Sequence, residues 1–382
     1  MKILIAPDSF KGSATAVEVG NALARGFRRI FSDADIRVLP MADGGEGTVA
    51  ALVSATGGEI RSSIVKNPIG CEISANYGIL GDQKTAVIEM SAASGLTLIK
   101  PEQRNPLLTT TYGTGQLILS ALDDGCRRLI IGIGGSATND GGAGMAQALG
   151  ALLKKTDGTS ISAGGQGLTE LSDIDVSNLD CRLGETEIIV ACDVDNPLTG
   201  PKGASYVYGQ QKGATLEMME VLDRSLARYA EIIEICLGKD IDNLPGAGAA
   251  GGLGAGLMAF VNAQLESGID IVINTVKLVE QLKGIDLVIT GEGYLDQQTI
   301  HGKTPVGVAR IAQKQNIPVI AVAGGIQGNP VGLYQQGITS MMDITPAPIP
   351  LCQAMNQTIL FLEQSSERIA RLLKIGGSLF AK

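Results

Sequence analysis

Six short apolar runs, residues 3–6, 36–39, 129–133, 188–191, 287–290 and 319–323, constrain this chain most. They lack the strict apolar–polar alternation of a half-exposed strand, and Gly or an acidic residue follows each within a few positions. Such runs suit strands covered on both faces, as in a parallel sheet flanked by helices. Helical patterns lie between them. Thr15 and Glu18 form a capping box ahead of an apolar stripe of Val19, Leu23, Phe27 and Ile30. Thr304-Pro305 opens another helix, Leu222, Leu226, Tyr229 and Ile233 mark a long one, and residues 359–373 hold the last.

The fold class is therefore α/β, and a length of 382 residues points to two lobes. Residues 59–90 read instead as a small antiparallel set, broken at Asn67-Pro68 and Gly81-Asp82. We expect a Rossmann-like parallel-sheet lobe assembled from discontinuous segments, 1–57, 92–150 and 262–382. Residues 58–91 and 151–261 are expected to form a smaller mixed α/β lobe, with the active site in the cleft between the two.

Composition removes several function classes. Thirty Lys and Arg against 39 Asp and Glu leave a net charge of −9, which repels nucleic-acid backbones and anionic lipid. The absence of Trp discourages base-stacking surfaces. Cys71, Cys126, Cys181, Cys192, Cys236 and Cys352 never fall within four residues of one another, and with the lone His301 they give no zinc or iron–sulfur spacing. A reduced, cytoplasmic protein is expected. The first apolar run is too short for a signal-peptide core, and Gly interrupts the uncharged stretch 246–265 too often for a lipid-facing helix.

The 51 glycines, about 13% of the chain against a usual ~7%, gather with polar residues just past the apolar runs. Ligands of open parallel sheets bind beyond the carboxyl ends of strands, so these clusters are the site candidates. Asp8 and Lys11 follow the first run, and Asp43 and Glu46 follow the second. The loop 132–144 contains Gly134, Gly135, Ser136, Asn139 and Asp140, and a Gly-rich loop leading into a helix cradles phosphate. Gly132, Gly134 and Ala137 also satisfy the dinucleotide spacing, but no acid-terminated second strand follows. Asp193 and Asp195 share one side of an extended segment, where they suit a hydrated Mg²⁺. Glu292 precedes Gly302-Lys303-Thr304, which lacks the earlier Gly of a Walker A loop, and Lys303 before a Pro-started helix suits a phosphate. The run 245–257 reads as tight packing or a phosphate-approach helix start.

Carboxylates, two lysines beside Gly loops, and no nucleophile–base pair suit phosphoryl transfer, which needs positioning and charge neutralisation more than covalent work. The segments 6–11, 41–48, 132–144, 193–200 and 290–303 resemble those of bacterial glycerate kinases of the glycerate/glucarate and glyoxylate-pathway type. The resemblance runs from Met1 to the final helix. It implies ATP- and Mg²⁺-dependent phosphorylation of D-glycerate, with 2-phosphoglycerate favoured over 3-phosphoglycerate.

On that reading the catalytic set is Asp8, Lys11, Asp43 and Lys303: Asp8 or Asp43 orients the acceptor hydroxyl and takes its proton. ATP phosphates lie on Gly134, Gly135 and Ser136, with Asn139 and Asp140 as secondary contacts, and Asp193 and Glu292 hold the metal. A homo-oligomer is compatible with these features. The competing readings are an NAD-linked hydroxyacid oxidoreductase and a non-catalytic metabolite-binding protein.

Overall fold

The computed structural model describes residues 1–328 and 331–380. The side chains of Gln298, His301 and Phe380 lie outside the description, so the sequence's single His carries no structural argument. In chain order the strands are β1 (Lys2–Pro7), β2 (Asp35–Val38), β3 (Glu59–Lys66), β4 (Glu72–Ile79), β5 (Thr85–Glu89), β6 (Arg128–Gly132), β7 (Leu152–Lys154), β8 (Asp173–Asp175), β9 (Glu187–Ala191), β10 (Gln264–Glu266), β11 (Leu287–Leu295), β12 (Val319–Ile326) and β13 (Ser340–Asp343). Every apolar run singled out above is a strand.

The chain divides into two compact units, Met1–Asp43, Ala50–Thr56 and Ile269–Lys382 against Gly44–Val49 and Gly57–Gly268. In the first unit the strand order is β13-β12-β11-β1-β2, and every pair is parallel. Counted in order along this unit it is the doubly wound 2-1-3-4-5 arrangement, whose order reverses between β1 and β11. Ile3 and Ile5 of β1, Ile289 of β11 and Val322 of β12 are fully buried, as unbroken apolar strands require. The helix Ala16–Arg28 covers this sheet through Val19, Leu23 and Phe27, and its Thr15–Glu18 capping box is formed. Gly26 lets it lie against the helix Thr358–Phe380, because a Cβ there would meet Ser366 and the Glu363 backbone.

The second unit is built on the order β10-β9-β6-β5-β4-β3. β5, β6, β9 and β10 are parallel, while β3, β4 and β5 pair antiparallel, as expected for 59–90. Three segments differ from expectation, the first being residues 44–49, which group with the second unit. Residues 92–150 belong to this unit because β6 bonds to β5 on one side and β9 on the other. Residues 262–268 join it because β10 bonds to β9. The mixed unit is consequently the larger of the two. Strand pairing between segments so far apart leaves no local sequence mark.

No described helix is long and apolar enough to cross a membrane. All six cysteines are free thiols.

Candidate active site

In the first unit, β1 ends at Pro7 and β11 runs on past it to Leu295, so Asp8 and Glu292 both stand at the switch point of the sheet. The two strands are locked there: Thr290 Oγ1 donates to the Ala6 carbonyl at 2.8 Å, and the Asp8 amide donates to the Gly291 carbonyl at 2.8 Å. Ligands of such sheets bind in this crevice.

Asp8 is 4% exposed. Its Oδ2 accepts the Thr304 hydroxyl at 2.6 Å and its Oδ1 the Ser9 amide at 2.6 Å, which fixes the carboxylate. Burial, then repulsion from Asp43, pushes its pKa up to about 6 against those bonds and the Lys11 charge. Glu292 accepts the Thr299 hydroxyl at 2.7 Å. Burial pushes its pKa up to about 7, Thr299 and Lys303 oppose the rise, and the Asp8 and Asp43 charges reinforce it. Lys303 lies 3.7 Å from Glu292 and 3.9 Å from Asp296, just before the helix Thr304–Lys314 with its Pro in the first turn. Lys11 lies 3.7 Å from Asp43. The first unit thus gathers Asp8, Lys11, Asp43, Glu292 and Lys303 into one electrostatic cluster.

Two buried carboxyls poised near neutrality beside two ammonium groups can take a proton from an alcohol and hold an anion. Among the described residues, no group of three or more His, Cys, Asp or Glu has the geometry to cage a metal ion. Mg²⁺ needs no such cage, since one or two carboxylates plus phosphate oxygens and waters normally hold it. The paired oxygens of Asp8 and Glu292, mutually repelling and buried, fit a hard cation on those terms.

The Gly-rich loop of 132–144 and Asp193 are in the second unit. Gly134 and Gly135 are exposed just past β6, and Gly135 takes φ +74°, which Gly adopts without strain. Ser136 is buried, bridged to Gly95. The side chains of Asn139 and Asp140, expected as cofactor contacts, are buried in the second unit. Asp140 is 1% exposed and accepts from the Thr111 amide (2.8 Å), the Thr111 hydroxyl (2.9 Å), the Gly142 amide (3.2 Å) and the Gly144 amide (3.3 Å). Asn139 is fully buried and donates to Ser205 at 3.0 Å. Asp140 thereby braces the end of the loop, and Asn139 ties it to Ser205. The run 245–257 packs against the same loop: backbone turns at Ala250, Gly251 and Gly252 break its helix, and the Gly141 amide donates to the Gly251 carbonyl at 3.0 Å. Tight packing is therefore its observed role.

Asp193 follows β9, and its Oδ1 accepts the Gly268 amide at 3.0 Å. Sequence reasoning missed Glu89 at the end of β5, which accepts the amides of Gly47 (3.1 Å) and Val49 (2.9 Å) and so shapes the Gly44–Val49 segment. Thr304 and Thr299, the hydroxyls that orient Asp8 and Glu292, were also missed. Only the polar start of the helix at Thr304 hinted at them.

The sequence profile of the glycerate kinase family matches residues 3–374. The chain belongs to the glycerate kinase family. Family members similar to it include the glycerate kinase of Bacillus subtilis strain 168, 52% identical over 380 residues and covering all of both chains. The glycerate 2-kinase of Escherichia coli K12 is 51% identical over 376 residues, 98% of this chain and 99% of that one. The crystal structure of a "putative glycerate kinase 2" from Salmonella typhimurium LT2 superposes with a TM-score of 0.92 at 51% identity, covering 99% of each chain. The family's mixed α/β architecture is thus shared over the whole length.

Proposed function

We propose that this protein transfers the terminal phosphoryl group of ATP to D-glycerate, giving 2-phosphoglycerate and ADP. The observation that carries the reading is the Asp8–Glu292–Lys303 cluster at the β1/β11 switch point, in a chain about half identical to named glycerate kinases. The name of the Escherichia coli relative supports the 2-position.

In this reading Asp8, held by Thr304 and Ser9, orients the acceptor hydroxyl and takes its proton as the new O–P bond forms. Asp43 shares the substrate side of the cluster, and Lys11 beside it meets the glycerate carboxylate. Lys303 offsets the charge on the moving phosphoryl group. Gly134, Gly135 and Ser136 offer backbone amides to the donor's phosphates. Glu292, with Asp8 near it, is the proposed Mg²⁺ ligand of the first unit, and Asp193 is the carboxylate proposed for a metal in the second. When bound, the ion neutralises charge on the phosphate oxygens.

An assay with ATP, Mg²⁺ and D-glycerate, coupled through enolase and pyruvate kinase with no phosphoglycerate mutase, tests this. Continuous product formation is expected. Conversion of ATP to ADP with no flux through enolase would instead identify the 3-phosphate.

A further inference from the structure

A cavity of about 510 Å³ opens beside the acidic cluster, entirely within the first unit. One end is ionic, lined by Asp8, Lys11, Glu292 and Lys303. The other is apolar, lined by Phe10, Ile344, Met355 and Phe361, with Leu351 at the rim. Phe10, Ile344 and Phe361 are at most 5% exposed and form firm walls, whereas Leu351 is 74% exposed. Gly324 and Gly325 bring the backbone at the end of β12 onto the lining, and the Tyr294 ring packs against Gly325, where a Cβ would collide with it.

Glycerate is small and has no apolar face, so it fills only the ionic end. A volume within the usual ligand-pocket range, charged at one end and apolar at the other, suits a longer ligand with an anionic head and a flat, weakly polar tail. We infer that the apolar end, between Met355–Leu351 and the Gly324–Gly325 backbone, holds the base and ribose of the phosphoryl donor and reads the base weakly. The inference rests on the proposed kinase reading and extends it from the phosphates to the nucleoside.

Weak base reading follows from the walls. The hydroxyls at that end spend their protons on the backbone: Thr345 donates to the Gly324 carbonyl at 2.8 Å, and Thr358 to the Met355 carbonyl at 2.9 Å. The described lining residues include no carboxamide and no guanidinium. The Gly324 carbonyl already accepts Thr345 and Gly325 is paired to Tyr294 in the sheet, so little remains with which to reject a base of similar shape, whereas sites built to hydrogen-bond a substrate discriminate by orders of magnitude.

The test is calorimetric titration of ADP and of GDP, with Mg²⁺, into the full-length protein and into Leu351→Asp and Met355→Asp. Leu351 is exposed enough that its replacement leaves folding intact, so a failure of Met355→Asp to fold does not void the experiment. We expect the two nucleotides to bind the parent within about tenfold of each other, and each variant to bind ADP about tenfold or more weaker. KM for glycerate stays within about twofold in the same variants. Unchanged ADP affinity in Leu351→Asp, unchanged ADP affinity in a folded Met355→Asp, or a preference for one base beyond a thousandfold would overturn the inference. Binding that behaves as expected with no phosphoryl transfer in the parent would sink the kinase reading alone.

Discussion

The Lys212 ammonium, 1% exposed, donates to the carbonyl oxygen of Thr138 at 2.7 Å, beneath the Gly-rich loop of the second unit. Burial lowers its pKa to about 7, and the Asp140 charge opposes that fall. Asp140, itself pushed up by burial, grips the other side of the same loop through Thr111, Gly142 and Gly144. A buried cation and a buried anion thus fix the backbone that is proposed to receive the donor's phosphates. Lys212→Met removes a charge-assisted bond and should lower unfolding free energy by about 2 kcal/mol in urea titration. It should also raise KM for ATP more than KM for glycerate. An unchanged ATP KM would reduce Lys212 to a purely stabilising role.

The acidic cluster costs stability in the free protein. Glu292 sits 9% exposed near Asp8 and Asp43, which repel it. Glu292→Gln keeps an oxygen to accept the Thr299 hydroxyl while removing the charge. At pH 8 the melting temperature of the variant should rise by about 2–4 °C for each kcal/mol relieved, while turnover falls sharply. A variant that is both less stable and fully active would contradict the placement of Glu292 in the site.

Stability should follow pH in the direction these carboxyls dictate. Asp8 rises from 3.8 to about 6 and Glu292 from 4.5 to about 7 on folding, so the folded state holds more protons than the unfolded across that range. Their contribution is complete below the unfolded values and is lost as pH climbs through about 6 and about 7. Chemical denaturation at pH 5.5 and pH 8 reads the difference. In the double variant Asp8→Asn/Glu292→Gln the pH dependence between those points should flatten.

Activity runs the other way, because the base must be ionised. kcat/KM for glycerate should fall about tenfold per pH unit on the acid side, with apparent pKa values between about 6 and 7 that belong to the coupled Asp8–Glu292 pair. Thr304→Val removes a bond that favours the ionised Asp8 and should move this limb to higher pH. An acid limb that stays in place would show that Asp8 is not the titrating base.

Much of the fold was legible because its strands are short unbroken apolar runs and its first helix carries an explicit cap. The residues of the cluster were legible too, as acids and lysines just past those runs. Their partners were not. Thr304 bonds Asp8 across 296 positions of sequence, and Lys212, in a Gln-Gln-Lys-Gly context, reads as a solvated surface residue until the fold buries it. Asn139 and Asp140 show the complementary ambiguity, since the fold buries both side chains. A Gly loop presents both its ligand-facing amides and the side chains that brace it, and one-dimensional spacing does not separate the two. The boundary at 92–150 was misplaced because β6 finds its neighbours β5 and β9 by strand pairing alone.

The central claim is that the Asp8 carboxylate activates the hydroxyl of glycerate. Steady-state kinetics of Asp8→Asn in the enolase-coupled assay, with a melting curve on the same sample, tests it most directly. The account predicts a folded protein whose kcat drops by about 10²–10⁴ while KM for ATP is little changed. A folded variant with turnover near that of the parent would contradict it.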